Sequence, residues 1–172
     1  MCPRPDLYDP LATWFASQRR PLPWREEGTS AWGVLVSEIM SQQTPVSRVV
    51  EPWRAWMTRW PTPRSLALAD SAEVLRAWGS LGYPRRALRL LECARTIDHE
   101  HSGELPVGVD ALRELPGIGD YTAAAVANFA QGQKACVLDT NIRRVLTRVL
   151  DAKPSPTAHV TKRDRARDRK ST

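Results

Sequence analysis

The stretch LPGIGDYTAAAVANFA, residues 115–130, decides the fold. Helical spacing leads up to Glu114. Pro116, Gly117 and Gly119 then turn the chain tightly before an alanine-rich helix begins. Glycine lets the backbone approach a neighbour closely, because no Cβ stands in the way. The first turn of the new helix points unpaired N–H groups outward, which suits a phosphate bound without regard to base sequence. Ala123, Ala124 and Ala127 are small enough for two helices to pack tightly there. Taken alone, the stretch reads equally well as an ordinary helix–turn–helix corner.

Outward from this turn the periodicity is helical almost everywhere. Apolar residues recur at three and four spacings in 7–17, 31–40, 46–57, 85–97, 121–130 and 138–150. No stretch alternates apolar and polar residues as a half-buried strand does. Pro21, Pro23, Pro45, Pro61, Pro63, Pro84, Pro106 and Pro116 fall at the seams, where a fixed φ and a missing N–H start or separate helices. The expectation is an all-α protein of eight or nine helices with short connections and no internal repeat.

The 172 residues, 42% of them hydrophobic, suffice for one ordinary domain or two small lobes sharing a core. No signal-like segment opens the chain and no apolar run reaches membrane-spanning length, so the expected setting is cytoplasmic, away from membranes. Three widely spaced cysteines, Cys2, Cys93 and Cys136, form neither a disulfide framework nor a CxxC metal motif. Cys93 and Cys136 read as buried reduced thiols. The net charge of +6 is unevenly spread: TKRDRARDRKST at 161–172 holds six basic and two acidic residues, leaving 19 basic against 17 acidic elsewhere. Charge by itself is therefore weak support for a nucleic-acid partner. Residues 151–172, with Pro154 and Pro156 and almost nothing apolar, read as a disordered basic tail.

Two carboxylates stand out. In SEIMSQQT, 37–44, Trp32, Leu35, Val36, Ile39 and Met40 form an apolar face and Glu38 falls on its border. Partial desolvation there raises a carboxyl pKa, which suits a proton donor. A lone helical glutamate is ordinarily a solvated surface residue. Gln42 and Gln43 close that helix before Thr44-Pro45. In CVLDTNIRRVLTRVL, 136–150, Asp139 occupies an N-cap position before a helix whose apolar stripe is Ile142, Val145, Leu146, Val149 and Leu150. Capping alone explains an aspartate there, and the helix dipole favours its anion. Together, one protonated carboxyl, one anionic carboxyl and a phosphate-binding hairpin suit acid-assisted cleavage of a glycosidic bond.

Four segments in register, LPWREEGTSAWGVLVSEIMSQQTPVSRVV, LRAWGSLGYPRRALRL, LPGIGDYTAAAV and VLDTNIRRVL, resemble the catalytic region of adenine-specific mismatch DNA glycosylases of the helix-hairpin-helix superfamily. The resemblance spans roughly residues 8–150. It implies removal of adenine mispaired with 8-oxoguanine or guanine in double-stranded DNA, with the base flipped out of the duplex, by a monomeric repair enzyme. Glu38 matches the residue that protonates the adenine and handles water, and Asp139 the residue that stabilises the sugar cation. Tyr121 and Asn141 match supporting positions, Gln43 and Tyr83 the wedges into the base stack, and Trp24 and Arg25 the rim of the adenine pocket. Gln42, beside the first wedge, is expected to bind DNA as well. Leu115, Gly117, Ile118 and Gly119 match the phosphate-binding hairpin, whose carbonyls commonly hold a monovalent cation. Family members that also nick the backbone carry lysine where Tyr121 stands. A phenol forms no Schiff base, so a monofunctional enzyme is expected.

The sequence also departs from the family pattern. The resemblance places a helical barrel domain at 22–135 and leaves 1–21 and 136–150 as the remnant of a second lobe. The four cysteines at C-x6-C-x2-C-x5-C spacing that hold a four-iron, four-sulfur cluster are missing, so no protein-bound metal is expected and that lobe reads as truncated. Pro84 replaces the usual second aromatic after Tyr83. Three other readings stay open: a non-catalytic DNA-binding remnant, a thymine-mismatch or endonuclease III-like glycosylase, and a helical scaffold for a protein partner.

Overall fold

The computed structural model describes residues 8–154, in which every regular element is helical and no strand occurs. Cys2 and residues 155–172, most of the expected tail, lie outside the described residues. Among the described residues nine α-helices run in chain order: α1 (Tyr8–Gln18), α2 (Ala31–Ser41), α3 (Val50–Arg59), α4 (Pro63–Ala67), α5 (Ser71–Trp78), α6 (Arg85–Glu100), α7 (Val109–Arg113), α8 (Asp120–Phe129) and α9 (Thr140–Asp151). Short 3-10 turns at 23–25, 46–48 and 79–81 join some of them. The 46–57 periodicity thus divides into a 3-10 turn followed by α3.

Local chemistry sets where the helices begin. The Ser30 hydroxyl accepts from Gly33 N at the start of α2, and the Asp70 carboxylate accepts from Ala72 N and Glu73 N at the start of α5. Thr62 and Ser65 cap α4 reciprocally, with Pro63 at its first position.

The core gathers α2–α8 around tryptophan. Trp56 meets Trp60 and Trp78 edge-on, with ring centres 4.6 and 5.6 Å apart. Three indole N–H groups find carbonyls: Trp32 donates to Trp60 O, Trp53 to Gly33 O and Trp78 to Gly82 O. Gly33 is where α2 and α3 press together, because a Cβ there would stand 3.3 Å from the Trp53 ring and 3.1 Å from the Thr29 methyl. The structure corrects one expectation about α2. Instead of a single apolar face, the helix is buried on every side from Trp32 to Met40, except at Glu38. It packs on α3, α6 and α8 at once.

The first and last helices behave differently. On α1, Leu11, Trp14 and Phe15 are exposed, and on α9, Ile142, Val145 and Val149 are exposed. Among the α9 side chains described, the buried ones are polar, Arg143 and Thr147, while Leu146 is half-buried. From Ile142 to Val149 the apolar stripe of α9 therefore mostly faces solvent.

Truncating Trp78, fully enclosed and bonded to Gly82, removes a large buried volume. Trp78→Ala is expected to cost about 3–5 kcal/mol of unfolding free energy. Leu68→Ala, at an exposed position, should change stability by about 0.5 kcal/mol or less. Urea denaturation of both variants checks this, and equal effects would contradict the placement of the core.

Candidate active site

Glu38 stands in the middle of α2, the one incompletely buried residue among well-packed neighbours. Burial pushes its carboxyl pKa up, because the anion loses water, while the nearby Arg25 guanidinium pulls it partly back. Desolvation is the larger of the two effects. A carboxyl so placed holds its proton to higher pH than an ordinary glutamate.

Helix α8 brings the second group. It begins at Asp120, so Tyr121 lies in its first turn, and Thr122 to Ala127 are buried against α2 and α7. The alanines allow that approach, since small side chains let helix axes come close. The Tyr121 phenol, half out in solvent, has its pKa pushed up to about 12 by burial and by the negative charges of Glu38 and Asp139. It stays neutral at physiological pH. Both carboxylates therefore lie within electrostatic reach of one phenol, although 101 positions separate them in sequence.

Asp139 caps α9 as its sequence position suggests. Its Oδ1 accepts from Ile142 N at 2.6 Å, and its Oδ2 accepts from the Asn141 side-chain amide at 3.3 Å. Asn141 thus holds one carboxylate oxygen and the helix terminus holds the other. The loop before it, 131–139, is tied back by Asn128 Nδ2 donating to Ala135 O.

The hairpin takes the expected form. Helices α7 and α8 flank residues 114–119, and Arg113 Nε meets Asp120 Oδ1 at 2.7 Å across the turn. Gly117 has φ +78°, and a Cβ there would lie 3.2 Å from Cβ of Arg89, so both conformation and space call for glycine. Gly117 and Gly119 are exposed, whereas the side chains of Leu115 and Ile118 belong to the core. Those two expected contact residues therefore offer only backbone groups to a ligand.

The remaining expected residues divide. Trp24 is half-buried with its ring edge-on to Trp53, 5.7 Å between centres, so it is as much core as rim. Arg25 is exposed, lies 5.7 Å from the Phe15 ring centre and faces Glu38 electrostatically. Gln42 reaches sideways to Thr122 Oγ1 at 3.5 Å, linking α2 to α8 beside Tyr121. Gln43 and Tyr83 are exposed and share an unusual backbone, with φ of +55° and +49°. One residue that composition and periodicity passed over is Arg86, whose guanidinium carbon lies 5.3 Å from the Trp78 ring centre and 5.5 Å from that of Tyr83. Its signal was present in GYPRRALRL: an arginine one turn past a Gly-aromatic-Pro corner can reach back to that corner's carbonyls.

The described residues do not fit a four-iron, four-sulfur cluster. Cys93 is sealed in the core, with its thiol pKa pushed up to about 12 by burial and by Glu92, and Cys136 is half-buried. Among the described residues no three His, Cys, Asp or Glu side chains gather as a metal site, and no helix is long and apolar enough to cross a membrane.

Comparison with known proteins places this geometry in context. Residues 36–168 match the family model described as HhH-GPD superfamily base excision DNA repair protein. The chain is 59% identical over 140 residues to an adenine DNA glycosylase of Mycolicibacterium smegmatis, covering 81% of this chain and 48% of that protein. It is 51% identical over 156 residues to the adenine DNA glycosylase of Mycobacterium tuberculosis, covering 91% of this chain and 51% of that protein. The chain thus spans about half the length of the curated relatives it matches. A solved thermostable thymine-DNA glycosylase superposes with a TM-score of 0.78 at 28% identity, covering 84% of this chain and 66% of that one. Helices, hairpin and sequence agree, and the chain belongs to the HhH-GPD superfamily of base excision DNA repair proteins.

Proposed function

We propose that this chain carries the catalytic core of a monofunctional DNA glycosylase that excises adenine mispaired with 8-oxoguanine or guanine. The observation that carries the reading is the gathering of Glu38 and Asp139 about Tyr121, one carboxyl desolvated and the other capping a helix. Protonated Glu38 donates its proton to the extruded adenine. The N-glycosidic bond then breaks with its electron pair leaving on the base, and the anionic Asp139 stabilises the resulting sugar cation. Glu38, now a carboxylate, accepts a proton from the water that adds to the sugar, which restores the starting acid. Tyr121 donates no amine, so no Schiff base forms, and the backbone stays intact. Its neutral phenol and the Asn141 amide hold the two carboxylates in place.

In the same reading Gly117, Gly119 and the backbone of Leu115 and Ile118 grip a phosphate next to the lesion, with a monovalent cation on the hairpin carbonyls. Gln43 and Tyr83 enter the base stack, Gln42 stands behind Gln43, and Trp24 and Arg25 border the pocket. The chain works as a DNA-associated monomer. The adenine DNA glycosylase names of the mycobacterial relatives support adenine as the excised base.

Excision is tested with a duplex carrying A opposite 8-oxoguanine, followed by alkali. Strand cleavage after alkali is expected, with a loss of about 10²-fold or more in Glu38→Gln, which has no proton to give. Binding without cleavage at high protein concentration would leave only the DNA-binding reading. Faster cleavage of a G·T duplex would favour a thymine-mismatch enzyme. Borohydride should trap no covalent DNA adduct, and a strong adduct would contradict the monofunctional assignment.

The pH dependence follows from the direction of the Glu38 shift. The acid form is required, so single-turnover excision falls as pH rises through the Glu38 pKa. Arg25 lowers that pKa, hence Arg25→Met raises it and moves the alkaline limb to higher pH, whatever its effect on the maximal rate. A limb that stays in place or moves down contradicts Glu38 as the acid.

A further inference from the structure

We propose that Arg86 is the positioning residue that fixes Gln43 and Tyr83 as one rigid unit, so that both side chains meet the DNA stack together. The proposal rests on the functional reading above and concerns two segments 40 residues apart. Gln43 and Tyr83 both occupy the left-handed region, where a side chain is disfavoured. Among the described residues only Ser102 and Ala152 share that property without being glycine. Such conformations persist where the surroundings hold them.

The holding group is a single guanidinium on the first turn of α6. Its Nη1 donates to Ile39 O at 3.0 Å, Met40 O at 3.1 Å and Gln42 O. Its Nη2 donates to Leu81 O at 2.9 Å, Gly82 O at 3.0 Å and Thr44 Oγ1 at 3.0 Å. Two of these acceptors decide the matter. The Gln42 carbonyl belongs to the peptide unit that carries the Gln43 N–H, and the Gly82 carbonyl to the unit that carries the Tyr83 N–H. Arg86 therefore orients the peptide plane entering each left-handed residue.

A mere cap on the end of α2 would need only the Ile39 and Met40 carbonyls. The contacts to Leu81, Gly82 and the Tyr83 ring, whose centre is 5.5 Å from the guanidinium carbon, serve the other segment. Neighbouring groups tie the same two segments. Thr44 Oγ1 lies 3.1 Å from Leu81 O, and Arg48 Nη2 donates to Ser80 O at 2.6 Å. The Trp78 ring, centred 5.3 Å from the guanidinium carbon, donates its indole N–H to Gly82 O. Lysine, a point charge with three donors and no plane, cannot reproduce this fork.

The test compares Arg86→Lys with the parent chain on two substrates, one with the target adenine opposite 8-oxoguanine in a duplex and one with it unpaired in a single strand. Stack opening is read in a Glu38→Gln background by 2-aminopurine fluorescence beside the target. Arg86→Lys should slow opening and duplex excision by about tenfold or more, yet leave excision of the unpaired adenine within about threefold, since that base needs no extrusion. Thr44→Val, isosteric and less disruptive, should show the same substrate dependence with a smaller loss, and serves if Arg86→Lys does not fold. Equal losses on both substrates, or none on the duplex, would overturn the proposal. If the parent chain neither opens the stack nor excises, the functional reading fails. The Arg86 proposal is then decided by hydrogen exchange: faster exchange at residues 43–44 and 83 together upholds it, and a change at one segment alone overturns it.

Discussion

The burial of α2 is the constraint on which the rest depends. A helix enclosed from Trp32 to Met40 leaves one opening, and Glu38 stands in it. The enclosure is possible because Gly33 admits the Trp53 ring, Ser37 turns its hydroxyl back to Val34 O, and the alanines of α8 add little bulk. Desolvation of a carboxylate follows from that packing without any special partner. The same contact between α2 and α8 brings Tyr121 within electrostatic reach of Glu38, so the core that stabilises the chain also raises that carboxyl's pKa.

Several groups have structural roles and, in the proposed reaction, chemical ones as well. Asp139 ends the α9 backbone with a cap and in doing so presents one carboxylate, its second oxygen held by Asn141. Gly117 permits the turn and clears space for Arg89, while exposing the hairpin backbone. Removing any of these alters fold and site together, which is why the chemistry is best separated by pH and by substrate rather than by loss of activity alone.

Much of this was legible in the sequence. The N-cap at Asp139 and the hairpin at 115–119 each follow from local rules of helix geometry, and both appear in the structure. Three features did not follow. Three-and-four spacing marks one stripe, so it could not show that Val34, Gly33 and Ser37 are also covered, because their burial depends on what neighbouring helices bring. The buried side chains of Leu115 and Ile118 look like contact residues in the motif because motif position does not distinguish backbone from side-chain contact. Arg86 was invisible to periodicity, since its acceptors come from two distant segments. The stripes of α1 and α9 are apolar in sequence, yet in the described residues Leu11, Trp14, Ile142 and Val149 face solvent.

The central claim is that packing, rather than a dedicated partner, makes Glu38 an acid. Its most direct test is a carboxyl carbon-13 NMR titration of the glutamates in the free protein, with Glu38 assigned through Glu38→Gln. A Glu38 midpoint above the ordinary glutamate range is expected. A midpoint within or below that range would contradict an acid made by packing.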